Sequence, residues 1–182
     1  VDYLIVEVVA WGINEESWSV DHFTIPGSPT EPVVWGQLDE KLKETYAHES
    51  GIALKISTAF VDSGAFTDEV YKFVKRKAHR RIFASKGVGT IGKPLVSDRP
   101  SKNNKGKVQL HIIGTDTAKE SIYDRLKKGD EGAGYMHFPL ERDEEYFQQL
   151  TAEKATTKYS HGFPKRVWIK MRERNEVLDL WV

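Results

Sequence analysis

The chain has 182 residues, and its 27 Lys and Arg balance its 27 Asp and Glu to a formal net charge of zero. With 39% apolar residues, including 5 Trp, 7 Tyr and 8 Phe, the composition excludes a mostly disordered chain and fits one ordinary globular domain. The absence of cysteine excludes disulfides, cysteine-bound zinc and a thiol nucleophile, so any catalytic or metal chemistry falls to Asp, Glu, His, Ser, Thr or Lys.

The first half of the chain predicts two strands followed by alternating helices and strands. Residues 3–11 and 17–25 are rich in Val, Ile and Trp and predict an antiparallel pair joined by a polar turn. Residues 34–46 have the spacing of an amphipathic helix. The apolar run 52–61 is typical of a buried central strand, and it ends in an acid, Asp62. A second helix is predicted over residues 66–79 and a strand over 82–85.

The second half begins with a long segment, 86–107, which we expect to be irregular and unpacked because it is rich in glycine and charge. A strand is predicted over 108–113, and residues 115–120 supply an N-cap and a capping-box glutamate for a helix to about 128. A short strand at 135–140, a helix at 144–158, a strand at 167–171 and a helix from 175 follow. These elements predict an α/β fold with a mixed central sheet and helices on its faces.

The ends and the apolar runs of the chain predict its context. It begins within a strand and ends within a helix, so we expect a fragment of a longer protein. The longest apolar runs fall far short of the roughly 20 residues of a membrane span, and no cleavable signal precedes them. We therefore expect a soluble intracellular protein without a membrane partner.

A glycine pattern resembles a dinucleotide-binding loop. Gly87, Gly89 and Gly92 match G-x-G-x-x-G after a predicted strand, and in such loops a following helix holds the pyrophosphate. Lys93 and Pro94 follow here instead of a helix. We interpret the segment as a flexible loop.

Three acids are candidates for chemistry. Asp62 lies at the carboxyl end of an apolar strand, where open α/β sheets place their sites, although it could simply cap the next turn or helix. Glu176 and Asp179 are three residues apart and share one face of the last helix. The alternative for this pair is a solvated face with Arg172 and Arg174 as partners. Carboxylates from a strand and a helix are the ligands that a pair of Mg²⁺ or Mn²⁺ ions requires for phosphodiester hydrolysis.

Basic residues are clustered although the net charge is zero. Such clusters suit phosphate contacts, but they could also be a solvated helix face and a loosely held loop. The helix cluster comprises Lys72, Lys75, Arg76, Lys77, Arg80 and Arg81, and the loop cluster comprises Arg99, Lys102, Lys105 and Lys107. We expect His137 to be packed or hydrogen-bonded rather than a metal ligand.

Several short motifs occur in the same order as in one known family. The motifs are Val8-Val-Ala-Trp-Gly12, Val61-Asp-Ser-Gly64, Ser85-Lys-Gly87, Gly92-Lys-Pro94, Gly114-Thr-Asp-Thr-Ala-Lys-Glu120, His137-Phe-Pro139, Gln149-Leu-Thr-Ala-Glu153 and Arg174-Asn-Glu-Val-Leu-Asp179. In these motifs the chain resembles the large terminase subunits of lambda-type tailed phages, and the resemblance covers nearly its whole length.

The resemblance implies a single nuclease domain over residues 1–182, similar in fold to ribonuclease H and retroviral integrases. It implies a metal-dependent endonuclease that uses two Mg²⁺ or Mn²⁺ ions to cut concatemeric viral double-stranded DNA during packaging, in the cytoplasm of the infected bacterial host. An ATPase motor domain is expected upstream, with the small terminase subunit and the portal as partners. No Walker A sequence is present, as expected of a C-terminal fragment without the motor.

The resemblance also assigns site residues. Asp62 corresponds to the acid at the end of the central strand, and Glu176 or Asp179 to the acid on the last helix. The first acid is Asp2 if a few turn residues are missing after it; without such a gap, that acid lies upstream of Val1. The residues that we expect to contact DNA are Lys86, Lys93, Lys102, Lys105, Lys107 and Arg76.

A rival hypothesis is a non-catalytic DNA-binding or assembly module of the packaging machinery. Its acids would be structural, and its DNA affinity would depend on salt but not on divalent metal.

Overall fold

The computed structural model describes residues 3–102 and 104–182 of the chain. The described residues form ten strands: β1 (Tyr3–Trp11), β2 (Ser17–Pro26), β3 (Thr45–Ala47), β4 (Ala53–Lys55), β5 (Ala59–Asp62), β6 (Ile82–Val88), β7 (Leu110–Gly114), β8 (Met136–His137), β9 (Glu153–Ser160) and β10 (Phe163–Lys170). They also form five α-helices: α1 (Pro32–Lys41), α2 (Thr67–Lys75), α3 (Thr115–Leu126), α4 (Glu144–Leu150) and α5 (Glu176–Trp181).

The predicted α/β class is confirmed. The described strands form several small sheets, with the orders β1-β2-β8, β3-β4, β5-β6-β7 and β9-β10, where the sequence predicted one mixed central sheet. β5 and β6 are parallel, β2 and β8 are parallel, and β9 and β10 form an antiparallel hairpin. Within the described part of the chain, every helix is too short or too polar to cross a membrane.

The chain divides into two compact units, of which the first contains residues up to Ile5, Thr24–Val88 and Val96–Ile113. Helix α2 lies against β6, and the rings of Trp35 on α1 and Phe73 on α2 are 5.0 Å apart. The apolar positions of α2 recur at helical spacing, which turns one face of the helix inward. The buried apolar residues of this unit include Val34, Leu38, Val70, Tyr71, Phe73, Val74, Ile82, Ala84, Val108 and Leu110.

The second unit contains Val6–Phe23, Gly89–Leu95 and Gly114–Val182. Its core draws on α3, β8, α4 and α5, so the last helix is built into the centre of this unit. The buried members of the core are Ile122, Met136, Tyr146, Leu150, Val177 and Leu178, with Tyr123, Leu126, Phe138, Trp181 and Val182 packed around them.

The predicted buried strand over residues 52–61 is wrong. Two short strands, β4 and β5, replace it, because β4 pairs with β3 and β5 pairs with β6. Ile52 is 62% exposed and Phe60 is 51% exposed. The helix predicted over 34–46 ends at Lys41, and Tyr46 lies in β3.

The helix predicted over residues 144–158 is also wrong in its second half. Helix α4 ends at Leu150, and the chain then enters β9. His161 and Gly162 both have positive φ, 51° and 80°, as a two-residue type I′ hairpin turn requires. This turn pairs β9 with β10.

The segment 86–107 is held to the fold more closely than predicted. Val96 and Ser101 form antiparallel bridges with Ile113 and Leu110, so this part of the segment runs along β7. The start of α3 also differs from the prediction, because Gly114 occupies the N-cap position without a side-chain cap.

Candidate functional site

Asp62 is the last residue of β5 and lies beside Ser85 of the parallel strand β6. The next residue, Ser63, is only 3% exposed, and both its backbone N–H and its hydroxyl donate to the Ser85 carbonyl, at 2.9 and 2.7 Å. These bonds fix the backbone on the carboxyl side of Asp62. The sequence therefore placed this acid correctly at the end of a parallel strand.

The Asp62 carboxylate is exposed, and it closes a turn rather than capping a helix. Its Oδ1 accepts a hydrogen bond from the Gly64 N–H at 3.1 Å. Helix α2 has Phe66 at its N-cap position, with no side-chain cap. A Cβ atom at Gly64 would lie only 3.1 Å from Asp62 Oδ2, so a glycine here gives the carboxylate its space.

Glu176 and Asp179 both lie on α5, which begins at Glu176. Glu176 Oε2 is buried and accepts no hydrogen bond from the described residues; its ion-pair partner is Arg174 Nε, at 3.4 Å. This contact agrees with the alternative that Arg174 neutralises the acid. Asp179 is exposed, whereas Val177 and Leu178 of the same helix are buried.

The beginning of α5 is fixed by a buried ion pair. Lys119 Nζ lies 2.7 Å from Glu153 Oε2, and the two side chains are only 12% and 8% exposed. Glu153 Oε1 accepts a hydrogen bond at 3.0 Å from Nδ2 of Asn175, the residue before Glu176. The Tyr123 hydroxyl donates to the Glu153 carbonyl. The side chain that precedes Glu176 is thus held by a charged group in the interior.

The end of α5 is fixed by a second buried acid. Trp181 Nε1 donates at 2.9 Å to the Tyr146 hydroxyl, which in turn donates at 3.0 Å to Glu7 Oε1. The Glu7 side chain is 1% exposed and also bonds Ser19 at 2.5 Å and His22 at 2.7 Å. Burial, together with the nearby Glu7 charge, raises the pKa of Tyr146 to about 12, so the phenol keeps its proton.

The candidate acids are distributed over the two units. Asp62 lies in the first unit, and Glu176 and Asp179 lie in the second. Asp2 is outside the described residues. Within residues 3–102 and 104–182, no group of three or more His, Asp or Glu side chains has the arrangement of a metal site.

A shallow groove in the first unit joins the two predicted basic clusters. It encloses about 180 Å³ and is lined by Lys75 from the last turn of α2 and by Lys102 and Lys107 from the loop. Val74, Ile82 and Val108 form part of its apolar wall. Three cations around one concave surface suit an anionic ligand such as a phosphate.

The other predicted DNA contacts are exposed. Arg76, Lys86 and Lys93 are at the surface, and the Lys93 carbonyl accepts a hydrogen bond from the Thr117 hydroxyl at 2.6 Å. Lys105 Nζ lies 3.6 Å from the exposed Asp68, a pair that contributes little to stability.

Two members of the helix cluster serve the fold. Arg80 Nη1 and Lys77 Nζ lie 2.6 and 3.2 Å from Asp39 Oδ1, and Lys43 lies 3.4 Å from Oδ2. Burial alone would raise the pKa of Asp39, but the hydrogen bonds and charges of Arg80 and Lys77 outweigh it and lower the pKa. These two cations are therefore paired within the protein.

Two interpretations of motifs agree with the structure. His137 Nε2 is 2.7 Å from Glu16 Oε1, and its ring stacks on Trp18 with centroids 4.8 Å apart, so this histidine is packed and hydrogen-bonded. The glycine pattern begins in β6, which contains Gly87, and continues into a turn from Thr90 to Lys93. The next helix along the chain begins only at Thr115, so the end of the pattern is a loop without the helix of a dinucleotide-binding site.

Sequence reasoning missed the roles of Lys119, Glu153 and Asn175. Each belongs to a different motif of the family resemblance, and the fold brings the three together inside the second unit. The sequence shows a lysine, a glutamate and an asparagine in these motifs, but the three residues are far apart in sequence, so the contacts between them could not be predicted.

The whole chain, residues 1–182, matches the family described as terminase large subunit gpA, endonuclease domain. The large terminase subunit of Escherichia phage lambda is 37% identical over 192 residues, which cover 100% of this chain and 30% of that protein. The large terminase subunit of Enterobacteria phage P21 is 34% identical, over 96% of this chain and 28% of that protein. The chain thus spans about 30% of the length of these curated relatives. The comparison with solved structures found no match.

Proposed function

The chain belongs to the terminase large subunit gpA endonuclease domain family, and from this membership we propose that it is a metal-dependent endonuclease that cuts concatemeric double-stranded viral DNA during genome packaging. The observation that carries the proposal is the family match over residues 1–182. The exposed carboxylate of Asp62 at the end of a parallel strand supports it.

The donor set fits hard divalent cations. Asp62 is exposed, and Glu176 has a buried carboxylate oxygen without a hydrogen bond. Oxygen ligands of this kind suit Mg²⁺ or Mn²⁺. In the proposed site, Asp2, Asp62 and either Glu176 or Asp179 hold two such ions. When bound, the ions supply an activated water and stabilise the leaving oxygen of the cleaved phosphodiester.

The surrounding residues hold the acids in place. The bonds from Ser63 and Gly64 fix the turn that carries Asp62. Glu153, through Asn175, fixes the start of the helix that carries the other two acids. The family resemblance, rather than the arrangement of the two units, is the reason for assigning these acids to one ribonuclease H-like site.

The proposal extends to the DNA and to the larger assembly. The groove with Lys75, Lys102 and Lys107 would hold the DNA backbone, assisted by the exposed Arg76 and Lys86. Because the chain spans 30% of the lambda relative, we expect an ATPase domain upstream in the complete protein, with the small terminase subunit and the portal as partners in the host cell.

The test is cleavage of supercoiled plasmid by the 182-residue chain in Mn²⁺ or Mg²⁺. We expect nicked and linear products that EDTA abolishes. Asp62→Asn and Glu176→Gln should also abolish cleavage, whereas Glu173→Gln, an exposed acid in the segment before α5, should leave it unchanged. Equal melting temperatures would show that the inactive variants fold. Full activity in both Asp62→Asn and Glu176→Gln would refute the assignment.

Salt-sensitive DNA binding that ignores divalent metal, without products over time, would instead favour the non-catalytic module. If the first acid lies upstream of Val1, the 182-residue chain lacks one of the proposed metal ligands and does not cleave. The same assay should therefore be repeated with a longer chain that includes residues upstream of Val1.

A further inference from the structure

The β9–β10 hairpin carries a concentration of positive charge that the net charge of the chain conceals. Residues 154–170 include five Lys or Arg and no Asp or Glu. The cations are Lys154, Lys158, Lys165, Arg166 and Lys170. Like charges along one segment repel each other, and a basic segment of this kind is typical of a surface that binds a polyanion.

The two sides of the hairpin differ. Directly opposed residues of an antiparallel pair point to the same side, and Thr157–Arg166 and Ala155–Trp168 share one side. This side packs on α3: the Trp168 ring is 5.1 Å from the Tyr123 ring, and Arg166 Nε lies 3.3 Å from Glu120. It is therefore the attached side of the ribbon.

The other side presents lysines to solvent. Lys158 and Lys165 are directly opposed in the register, and Lys154 lies on the same side. All three are exposed. Like charges directly opposed on neighbouring strands destabilise a sheet, so the fold itself gains nothing from this pair.

The size and tip of the hairpin fit a long polyanion. Each strand has eight residues, which gives a ribbon of about 27 Å at roughly 3.4 Å per residue. Tyr159 and Phe163 near the tip are each 76% exposed. A two-stranded ribbon is narrow enough to lie against a groove of duplex DNA.

We propose that the β9–β10 hairpin is a DNA-binding arm whose Lys158 and Lys165 contact the phosphate backbone of double-stranded DNA. This inference rests on the proposed function for its ligand, but it concerns binding and not cleavage. The contact is independent of base sequence, because lysine ammonium groups read charge rather than base edges. It adds a second basic surface to the groove of the first unit.

The test measures the binding of the 182-residue chain to a labelled DNA duplex of about 30 base pairs by fluorescence anisotropy. The measurements are made in EDTA, over a series of salt concentrations. We expect Lys158→Gln/Lys165→Gln to reduce the salt slope of log K by about 1.8, which corresponds to roughly 60-fold weaker binding at 0.1 M salt. Lys158→Arg/Lys165→Arg keeps both charges and should bind as the unchanged chain does. Circular dichroism would check that all variants fold.

A matched control removes two other charges. Lys41→Gln/Lys127→Gln alters a half-buried and an exposed lysine, which pair with Glu44 and Asp124, and it should leave the slope unchanged. An equal loss in this control, or an unchanged slope in Lys158→Gln/Lys165→Gln, would overturn the proposal. Absence of duplex binding by the unchanged chain at low salt would also overturn it.

The same assay separates this inference from the nuclease proposal. Asp62→Asn should bind DNA normally in EDTA even though it does not cleave. Normal binding through the hairpin, together with no cleavage even by the longer chain that includes residues upstream of Val1, would refute the nuclease proposal and still support the DNA-binding arm.

Discussion

Replacing Lys119 by Met removes one partner of a buried ion pair and should destabilise the protein strongly. Lys119 Nζ lies 2.7 Å from Glu153 Oε2, with side chains 12% and 8% exposed. Met leaves the Glu153 carboxylate in the interior without this cation. An uncompensated buried charge costs about 3–5 kcal/mol. We expect a loss of about 3 kcal/mol, at the low end, because Asn175 still donates a hydrogen bond to Glu153.

An ion pair at the end of the same helix provides a matched control, because Lys127 directly follows the last residue of α3. Lys127 Nζ lies 2.9 Å from Asp124 Oδ1, but these side chains are 73% and 76% exposed. The two ion pairs have nearly equal lengths, so the comparison isolates burial. Since exposed pairs contribute about 0.2–1 kcal/mol, Lys127→Met should lower the free energy of unfolding by less than about 1 kcal/mol.

The assay is chemical and thermal unfolding at pH 7, followed by circular dichroism. For a chain of this size, about 3 kcal/mol corresponds to a fall in Tm of about 6–12 °C. The double variant Lys119→Met/Glu153→Gln no longer buries an unpaired charge and should be more stable than Lys119→Met. A Lys119→Met variant as stable as Lys127→Met, or a double variant less stable than the single one, would refute the argument.

Three further predictions concern single side chains. Gly64→Ala should slow metal-dependent cleavage with little change in Tm, because the new Cβ would lie 3.1 Å from Asp62 Oδ2 and displace the carboxylate; a cleavage rate equal to that of the unchanged chain would contradict this. Burial lowers the pKa of His111 below its ordinary 6.5, so stability should fall as the pH drops through and below 6.5, and His111→Phe should flatten this acid limb in unfolding measured from pH 4 to 8. Because the pKa of Tyr146 is raised to about 12 from an ordinary 10, the unfolded chain loses that proton first, and stability should decline from pH 10 to 12 less steeply in Tyr146→Phe.

Helix α2 shows what the sequence could predict. Its buried residues Val70, Tyr71, Phe73 and Val74 repeat at helical spacing with charged residues between them, and this local pattern sufficed to identify the helix. The position of Asp62 was predictable for the same reason, since an acid directly after an apolar β-run marks the end of a strand. Both inferences use only neighbours in sequence.

The β9–β10 hairpin shows where local pattern misled. Residues 144–150 are helical, whereas the predicted helix continues through 158, over a stretch that contains no glycine or proline. The stop is the change to β-branched Thr156 and Thr157 together with the His161-Gly162 turn, which pairs β9 with a strand further along the chain. If the His161-Gly162 turn is identified first, the residues on both sides of it are predicted as paired strands, and the helix is predicted to end before them.

The contacts that hold α5 could not be predicted, because they depend on tertiary structure. Glu153 is 34 residues from Lys119 and 22 from Asn175, and nothing in the local sequence distinguishes it from a solvent-exposed glutamate. Its burial follows from the packing of α3 and α5 in the core of the second unit. A charged residue at the start of a strand is thus ambiguous until the fold supplies its partner.

Charge balance illustrates the same dependence on position. A net charge of zero gives no reason to expect binding to nucleic acid, yet the acids and bases of this chain are unevenly distributed along the sequence. Residues 141–145 contain four acids and one Arg, whereas residues 154–170 contain five Lys or Arg and no acid. Screening in physiological salt shortens the range of each charge to about 8 Å, so the cations nearest to a DNA phosphate dominate the field at that phosphate. The distribution of charge over the folded surface, rather than its sum, therefore determines whether this chain attracts DNA.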